Sequence, residues 1–260
     1  MKNPLSRRLL RELRQDIGKY IALFLFLTLT TGFISGFLVA DGSMVRAYDE
    51  SFEKYDIESG HFILEDKLPD ETKAKLEAAG VSVYELFYKE ATLNNENTVR
   101  IFKNRSEVNR ADVLEGRLPE SKGEIAADRL YLENNGLTIG DELAGLKITG
   151  AVALSDYSAL FKNNSDMMLD ANKFCVAVVT PETFDEIDEN VHLCYAWLNN
   201  DKSLSDEQCR DKADEISDIL AEACSITELV KREDNQAISF TGEDMGSDKA
   251  VMKTLLFVFI

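Results

Sequence analysis

The run IALFLFLTLTTGFISGFLVA, residues 21–40, decides how this chain is organised. It carries no charged side chain. A helix of about 20 residues, each rising about 1.5 Å, is as long as the hydrocarbon core of a bilayer is thick, about 30 Å. We therefore predict a transmembrane helix over residues 20–40. It divides the chain into a short basic segment (residues 1–19), this span, and a long polar remainder.

A cleaved secretory signal is the alternative interpretation of the same run. The apolar core of a signal peptide usually has about 7–15 residues and ends in a small-x-small cleavage site. Here the run is longer, and Leu38 is bulky where a cleavage site ending at Ala40 needs a small residue. The pattern favours a retained membrane anchor.

Basic residues dominate the segment before the span, although the whole chain has a formal net charge of −18. Flanks rich in lysine and arginine stay in the cytoplasm, so we expect a cytoplasmic N-terminus and an extracytoplasmic region over residues 41–248. That region is acidic, which argues against nucleic-acid binding, because phosphates need a basic surface. The charged residues before the span are the bases Lys2, Arg7, Arg8, Arg11, Arg14 and Lys19 and the acids Glu12 and Asp16.

Apolar residues recur every four positions before the span, at Leu5, Leu9, Leu13 and Ile17, with arginines on the other faces. This period predicts an amphipathic helix that lies at the membrane surface among anionic lipids. A simple continuation of the membrane helix into the cytoplasm is the alternative. Membrane lipid is therefore an expected partner of residues 1–19.

Small residues form one stripe of the predicted span, at four-residue spacing. Small side chains let two helix backbones approach closely in lipid, where packing drives association. We therefore predict a helix-packing face, although glycine is also common in membrane spans that pack nothing in particular. The stripe consists of Thr28, Gly32, Gly36 and Ala40.

Residues 41–248 are long enough for one large domain or two small ones. Strand and helix patterns interleave there without a strict βαβ period, which predicts a mixed α+β ectodomain. We also consider a division into two lobes between residues 155 and 170. Strands are predicted at 61–65, 81–93, 98–103, 123–125, 146–154, 174–180, 192–199 and 225–231, and helices at 70–80 and 128–135, after Thr180-Pro181, and after the capping box Ser205–Gln208.

No motif of a common enzyme class is present. The sequence lacks a G-x-G-x-x-G loop, a Walker A loop, a G-x-S-x-G elbow and an H-E-x-x-H pair. Its two histidines, His61 and His192, fall in predicted strands, where an ordinary structural role is expected. We therefore expect a non-catalytic chain without a cofactor. The scattered acids leave a weak surface Ca²⁺ site open.

The four cysteines lie in the second half of the chain, on the predicted outer side. An even number outside the cell permits disulfides. Cys175 and Cys194 fall in apolar strands and are equally well interpreted as buried small apolar residues. Free thiols and disulfides therefore both stay open for Cys175, Cys194, Cys209 and Cys224.

A series of turns follows in the middle of the predicted ectodomain: LEGRLP at 114–119, GEI at 123–125 and GDEL at 140–143. The glycines supply turn conformations, Pro119 fixes one dihedral angle, and Arg117 can pair with a nearby carboxylate. Their order and spacing resemble the extracytoplasmic core domain of FtsX-like (MacB-type) ABC transporter permeases. The residues that carry this resemblance are Glu115, Gly116, Arg117, Pro119, Gly123, Glu124, Gly140 and Asp141.

Two further stretches, NQAI at 235–238 and DMGSD at 244–248, are similar to the Gram-positive members of that family. Residues 249–260 then become apolar again, and we expect them to begin a second transmembrane helix. Family members continue with at least two further spans. The resemblance thus implies that this chain is the N-terminal part of a longer permease.

The resemblance also implies a partner and a task. A separate cytoplasmic ABC ATPase would dimerise on ATP and move the permease helices, and the ectodomain would move in response, which is called mechanotransmission. The expected cargo is a lipid, lipoprotein or antimicrobial peptide, and the expected assembly is a dimer or pseudo-dimer of permease halves. The alternatives are a membrane-anchored sensor or binding ectodomain without an ATPase, and a secreted enzyme cut near Ala40.

Overall fold

The structure is a computed structural model that describes residues 14–93 and 96–243. It separates the chain into two compact units, Met1–Ala47 with Asp244–Ile260, and Tyr48–Glu243. Several predicted features lie outside the described residues: most of the basic segment (1–13), the DMGSD stretch, and the second span at 249–260.

The predicted span lies in one helix, α1, which covers Ile17–Lys54. An 18-residue window of α1 has a mean hydropathy of 2.1, and within the described ranges α1 is the one helix long and apolar enough to cross a membrane. Its apolar side chains, such as Phe24 and Leu29, are largely exposed. The helix does not stop near Ala40, where the predicted span ends, but continues to Lys54.

Residues 48–243 form a mixed α+β domain, as predicted. Its described strands join in an 11-stranded sheet. The strands are β1 (Gly60–Leu64), β2 (Val81–Glu85), β3 (Tyr88–Thr92), β4 (Thr98–Lys103), β5 (Ala111–Gly116), β6 (Glu124–Asp128), β7 (Glu142–Leu143), β8 (Leu146–Leu154), β9 (Phe174–Val179), β10 (Val191–Asn199) and β11 (Ile226–Lys231). The helices are α2 (Asp70–Ala78), α3 (Arg129–Asn135), α4 (Pro181–Glu186) and α5 (Asp206–Ala221), and a 3₁₀ turn (Arg232–Asp234) and helical residues 236–243 follow β11.

The strand order is β11-β1-β10-β3-β4-β9-β6-β8-β5, with β2 also paired to β10 and β7 to β8. The pairs β4–β9 and β6–β8 are parallel, and the other described pairs are antiparallel. Strand β10 joins the two halves of the sheet, because Val191 and His192 pair with β3 while its later residues pair with β1 and β2. The strand predicted at 81–93 is divided into β2 and β3, and β3 pairs antiparallel with β4, the strand predicted at 98–103.

Two clusters of buried apolar side chains stabilise this sheet. The smaller packs α2 and α5 on β1, β2 and β10, with Phe62, Leu76, Trp197 and Ile216 among its members. The larger surrounds β9, whose six residues are all buried because the sheet is covered on both faces there.

The suggested division into lobes between residues 155 and 170 is not confirmed. Leu154 and Phe174, on either side of that stretch, belong to the same larger cluster, and Leu160 within it belongs there too. The smaller cluster instead combines residues from both ends of the domain, between 62 and 83 and between 195 and 220.

Local signals set the helix ends as the sequence predicts. Asp128 caps α3 by accepting hydrogen bonds from the N–H groups of Leu130 and Tyr131 at 2.9 and 3.1 Å, and Gly136 ends it with a φ of +66°. Ser205 and Gln208 form the capping box of α5. The sequence analysis missed β5, an edge strand with mostly exposed residues, and the two-residue β7.

Gly60 tests the packing of the smaller cluster. A Cβ at Gly60 would lie 2.2 Å from Cη2 of Trp197 and 2.6 Å from the carbonyl oxygen of Val230. Gly60→Ala must therefore displace Trp197 or separate β1 from β11, and we expect it to lower the free energy of unfolding by about 1–3 kcal/mol. The measurement is urea unfolding of the whole chain in detergent, followed by the fluorescence of its single tryptophan.

The matched control is Gly42→Ala in α1, where, among the described residues beyond the adjacent turns of the helix, no atom lies within 4 Å of the added Cβ. It should leave the unfolding of the domain unchanged. Equal stabilities of the Gly60→Ala and Gly42→Ala variants would contradict the close packing around Trp197.

Candidate functional site

The pairing expected for Arg117 is present, and its partner is Glu124 at the start of β6. The two Nη atoms of Arg117 donate to the two carboxylate oxygens at 2.8 and 2.6 Å. Glu124 also accepts hydrogen bonds from the backbone N–H groups of Glu120 and Ser121, both at 3.0 Å. One carboxylate therefore holds the loop between β5 and β6 against the first residue of β6.

The other residues of the motif also have turn roles. Gly116, Gly123 and Gly140 have positive φ angles of +72°, +79° and +103°. Asp141 accepts hydrogen bonds from the N–H and O–H groups of Thr138, both at 2.8 Å. Pro119 is buried, and Glu115 is exposed on β5. These residues organise two turns and do not converge on a cavity.

The acid stability of the domain tests the Arg117–Glu124 pair. The hydrogen bonds from Arg117, followed by those from the backbone of Glu120 and Ser121, lower the pKa of Glu124 from 4.5 to about 2. A carboxyl pKa that is lowered on folding stabilises the folded state at pH values above 4.5. This stabilisation is lost as the pH falls from 4.5 through 2. Glu124→Gln should therefore reduce the free energy of unfolding most at neutral pH, and the difference from the wild type should shrink towards pH 2.

Glu133→Gln is the control for this experiment, because it removes an exposed carboxylate paired with Arg129 at 2.7 Å on α3. It should have a smaller effect than Glu124→Gln. The role assigned to Glu124 is wrong if the two variants show the same pH profile in denaturant titrations between pH 2 and 7.

The predicted helix-packing stripe, Thr28, Gly32, Gly36 and Ala40, lies on α1. Within the part of the chain that the structure describes, no atom lies within 4 Å of a Cβ placed on Gly32 or Gly36. Packing of another helix at this stripe therefore stays a prediction.

A buried polar cluster that the sequence analysis missed lies where the chain enters and leaves the domain. We define residues 48–59 as the entry segment and residues 232–243 as the exit segment. The Glu58 cluster consists of Glu58, His61, Asn109, Arg232 and Asn235. Glu58, at its centre, has only 1% of its surface exposed.

Both oxygens of Glu58 have partners. Oε1 lies 2.6 Å from Nδ1 of His61 on β1 and 3.4 Å from Nδ2 of Asn235 in the exit segment. Oε2 accepts a hydrogen bond of 2.6 Å from Nδ2 of Asn109, whose Oδ1 accepts from the Glu58 N–H at 2.8 Å. Arg232 donates to the carbonyl oxygens of Ile57 and Glu58. One buried carboxylate thus contacts β1, the connection between β4 and β5, and the exit segment.

The electrostatics of the pair favour its charged form. Burial opposes ionisation of Glu58, but His61 and Asn109 stabilise the carboxylate enough to lower its pKa below 4.5. Burial also opposes a charged His61, but the adjacent Glu58 raises the pKa of His61 above 6.5. The two shifts together favour an imidazolium–carboxylate pair at mildly acidic pH.

A second buried ion pair lies close to this cluster. Nη1 of Arg105 donates to Oδ1 of Asp156 at 2.7 Å, and the side chains are only 4% and 7% exposed. The Arg105 guanidinium also stacks on Phe102 at 3.9 Å from the ring centroid. Burial raises the pKa of Asp156 despite the opposing charge of Arg105.

Glu58, His61 and Asp156 line a cavity of about 100 Å³. At about 30 Å³ for each water in the liquid, this space suits about three water molecules. The reactive groups in its wall are held in their protonated forms, since burial raises the pKa of Tyr157 to about 12 and that of the Cys194 thiol well above 9.0. Its wall therefore combines charged groups with a phenol and a thiol that are protonated at neutral pH.

A larger groove of about 610 Å³ has Ile57 and Arg232 in its lining. Aromatic and apolar side chains from the entry segment, the sheet and the exit segment line it, including Phe52, Tyr84 and Ile238. Its rim carries ion pairs, such as Nε of Arg210 with Glu233 at 2.7 Å and Lys202 with Asp56 at 3.8 Å. The size falls within the range of ligand pockets, about 300–1,000 Å³.

The cysteines and His192 have structural environments in this domain. All four cysteines are free thiols, with Cys175 and Cys194 buried and Cys209 and Cys224 partly exposed. His192 stacks on Tyr88 with ring centroids 4.5 Å apart. Within residues 14–93 and 96–243, no three His, Cys, Asp or Glu side chains are arranged to hold a metal ion.

Neither the family models nor the curated proteins compared with this chain give a match. The resemblance to FtsX-like permeases therefore rests on the sequence motifs quoted above. One of them, NQAI, contains Asn235 of the Glu58 cluster and Ala237, whose N–H donates to Oδ1 of Asn235 at 3.1 Å. Asn235 was thus within a recognised motif, although no local pattern indicated its partner.

Proposed function

We propose that this chain is a membrane permease subunit of an FtsX-like ABC transporter. In this role it couples a separate cytoplasmic ABC ATPase to the extracytoplasmic domain for export or extraction of a lipid, lipoprotein or peptide. The N-terminus is cytoplasmic, residues 41–248 are extracytoplasmic, and residues 249–260 begin the second span. The stripe containing Gly32 and Gly36 packs against another helix of the assembled permease.

The observation that carries this proposal is the continuity of α1. A single helix, Ile17–Lys54, contains both the apolar run and the residues by which the entry segment packs in the domain. Tyr48 donates its O–H to the carbonyl oxygen of Ile238 at 2.8 Å, and Phe52 lies edge-on to Tyr48 with centroids 5.1 Å apart. One stretch of helix therefore contains both the membrane-spanning run and the first residues that pack in the domain, which supports a permease with an extracytoplasmic domain directly after its first span.

The second candidate is a membrane-anchored sensor or binding domain without an ATPase. The groove of about 610 Å³ favours it, because its walls include both the entry and the exit segment. A ligand in that groove would contact both segments at once. The two candidates differ in whether an ATPase is a partner. Purification of the chain from native membranes distinguishes them.

The orientation is tested by cysteine labelling in intact cells, in a background without native cysteines. Ser6→Cys lies in the basic segment, and Ser121→Cys lies at an exposed position between β5 and β6. A membrane-impermeant maleimide should label position 121 in intact cells and position 6 only after the membrane is opened. Labelling of position 6 alone in intact cells would reverse the proposed topology.

The ATPase partner is tested by purification from native membranes. The chromosomal gene receives an affinity tag between Met167 and Met168, which are 98% and 83% exposed on the loop before β9. We expect a protein with a Walker A motif to co-purify in comparable amount and to be lost when its own gene is deleted. The control is the same tag on an unrelated protein with one span. Recovery of the tagged chain without any nucleotide-binding protein would favour the sensor.

A further inference from the structure

The entry and exit segments are both attached to the Glu58 cluster. Glu58 belongs to the entry segment, and Asn235 and Arg232 of the exit segment bond to its side chain and to its carbonyl oxygen. The same carboxylate also contacts His61 of β1. The neighbouring Ser59 adds neutral contacts of the same kind, since its Oγ accepts from the N–H of Asn199 on β10 at 3.1 Å and lies 3.5 Å from Nη2 of Arg232.

The exit segment also has charge-assisted contacts through the Arg232 guanidinium, but its contacts between neutral groups are individually weaker. The Tyr48 O–H donates to the carbonyl oxygen of Ile238, and the Ser158 O–H lies 2.9 and 3.1 Å from the carbonyl oxygens of Ala237 and Ile238. Hydrogen bonds to charged groups contribute about 1.5–3 kcal/mol, against about 0.5–1.5 kcal/mol for neutral ones. Loss of the Glu58 charge should therefore free the exit segment more than loss of any one of these contacts.

We propose that the Glu58–His61 pair is a pH-sensitive lock that holds the exit segment to the entry segment and to β1. Glu58 acts as the positioning residue, and the proton on His61 keeps the lock closed. The lock is a property of the folded domain, so it does not depend on whether the chain serves an ATPase.

The groups around His61 determine the direction of the pH response. Glu58 faces it from the entry segment, Glu228 from β11 and Asp156 from the loop after β8, and all three negative charges retain its proton. The positive charge of Arg105 acts on Glu58 and favours its carboxylate form.

Because the pKa of His61 is raised above 6.5, the pair is complete below that value and is lost as the pH rises through the raised pKa. Glu58 keeps its charge below pH 4.5 because its pKa is lowered. The lock therefore opens on the alkaline side.

Hydrogen exchange of the whole chain in detergent micelles, read by mass spectrometry, tests the lock. The observables are the protection factors of peptides from residues 232–243 and, as an internal reference, from β9. Glu58→Gln should accelerate exchange in the exit segment about tenfold or more, since a charge-assisted contact is lost, and leave β9 protected. Glu228→Gln is the matched control: Glu228 lines the same cavity, and within the described ranges its carboxylate bonds to neither segment, so its loss should have only a small effect, through the charge near His61.

The pH arm compares wild type with His61→Gln between pH 6 and pH 9, after correction for intrinsic exchange rates. Protection of the exit segment should fall with rising pH in the wild type and stay level in His61→Gln. An unchanged exit segment in Glu58→Gln, or an equal effect of Glu228→Gln, would overturn the lock. A persistent pH response in His61→Gln would overturn the role of its proton.

A second variant covers the case in which Glu58→Gln does not fold, which the loss of β9 protection would reveal. Asn235→Asp keeps the Oδ1 that accepts from the Ala237 N–H at 3.1 Å but replaces the donor that faces Glu58 with a carboxylate oxygen. It should release the exit segment selectively. Normal protection in Asn235→Asp would count against the lock.

Discussion

The arrangement of this domain depends on one buried charge. A carboxylate removed from water without partners is destabilising by several kcal/mol, and Glu58 is almost fully buried. Its oxygens are instead bonded to His61, Asn109 and Asn235, which come from three stretches far apart in the chain. Satisfying this one charge therefore fixes the positions of β1, the β4–β5 connection and the exit segment together. The left-handed backbone of Asn109, with a φ of +48°, is part of the same constraint.

The cluster lies where it does because alternate residues of β1 point to opposite faces of the sheet. Phe62 and Leu64 pack under α2 and α5 in the smaller apolar cluster, whereas His61 faces away from them, towards Glu58. Strand β10 supplies Trp197 to the helix-covered face and Cys194 to the cavity on the other. One face of this part of the sheet is thus stabilised by apolar packing, and the other is stabilised by charge pairing beneath the entry and exit segments.

Much of the fold could be predicted from local patterns. The capping box at Ser205, the apolar run of β9 and the length of β8 all depend on residues close together in sequence, and the structure has them as expected. The Arg117–Glu124 pair could also be predicted, because only seven positions separate the two residues. The Glu58 cluster could not be predicted, since Glu58 and Asn235 are 177 positions apart and a single acid before a strand resembles any surface acid. Strand β5 was missed because an exposed edge strand lacks the alternation that marks a buried face.

The entry segment begins within α1, and the Glu58 cluster bonds it to the exit segment. The part of α1 after the apolar run contains no proline, so nothing in its sequence breaks the helix before Lys54. The contacts of Tyr48 and Glu58 then make the exit segment follow the entry segment while the cluster is intact. Coupling between the two segments is reciprocal, because a displacement of the entry segment changes the groove that both segments line, and a ligand that favours one shape of the groove biases the two segments by the same free energy. A permease and a sensor would therefore use the same joint, and only the source of the free energy, ATP in the cytoplasm or a ligand outside, distinguishes them.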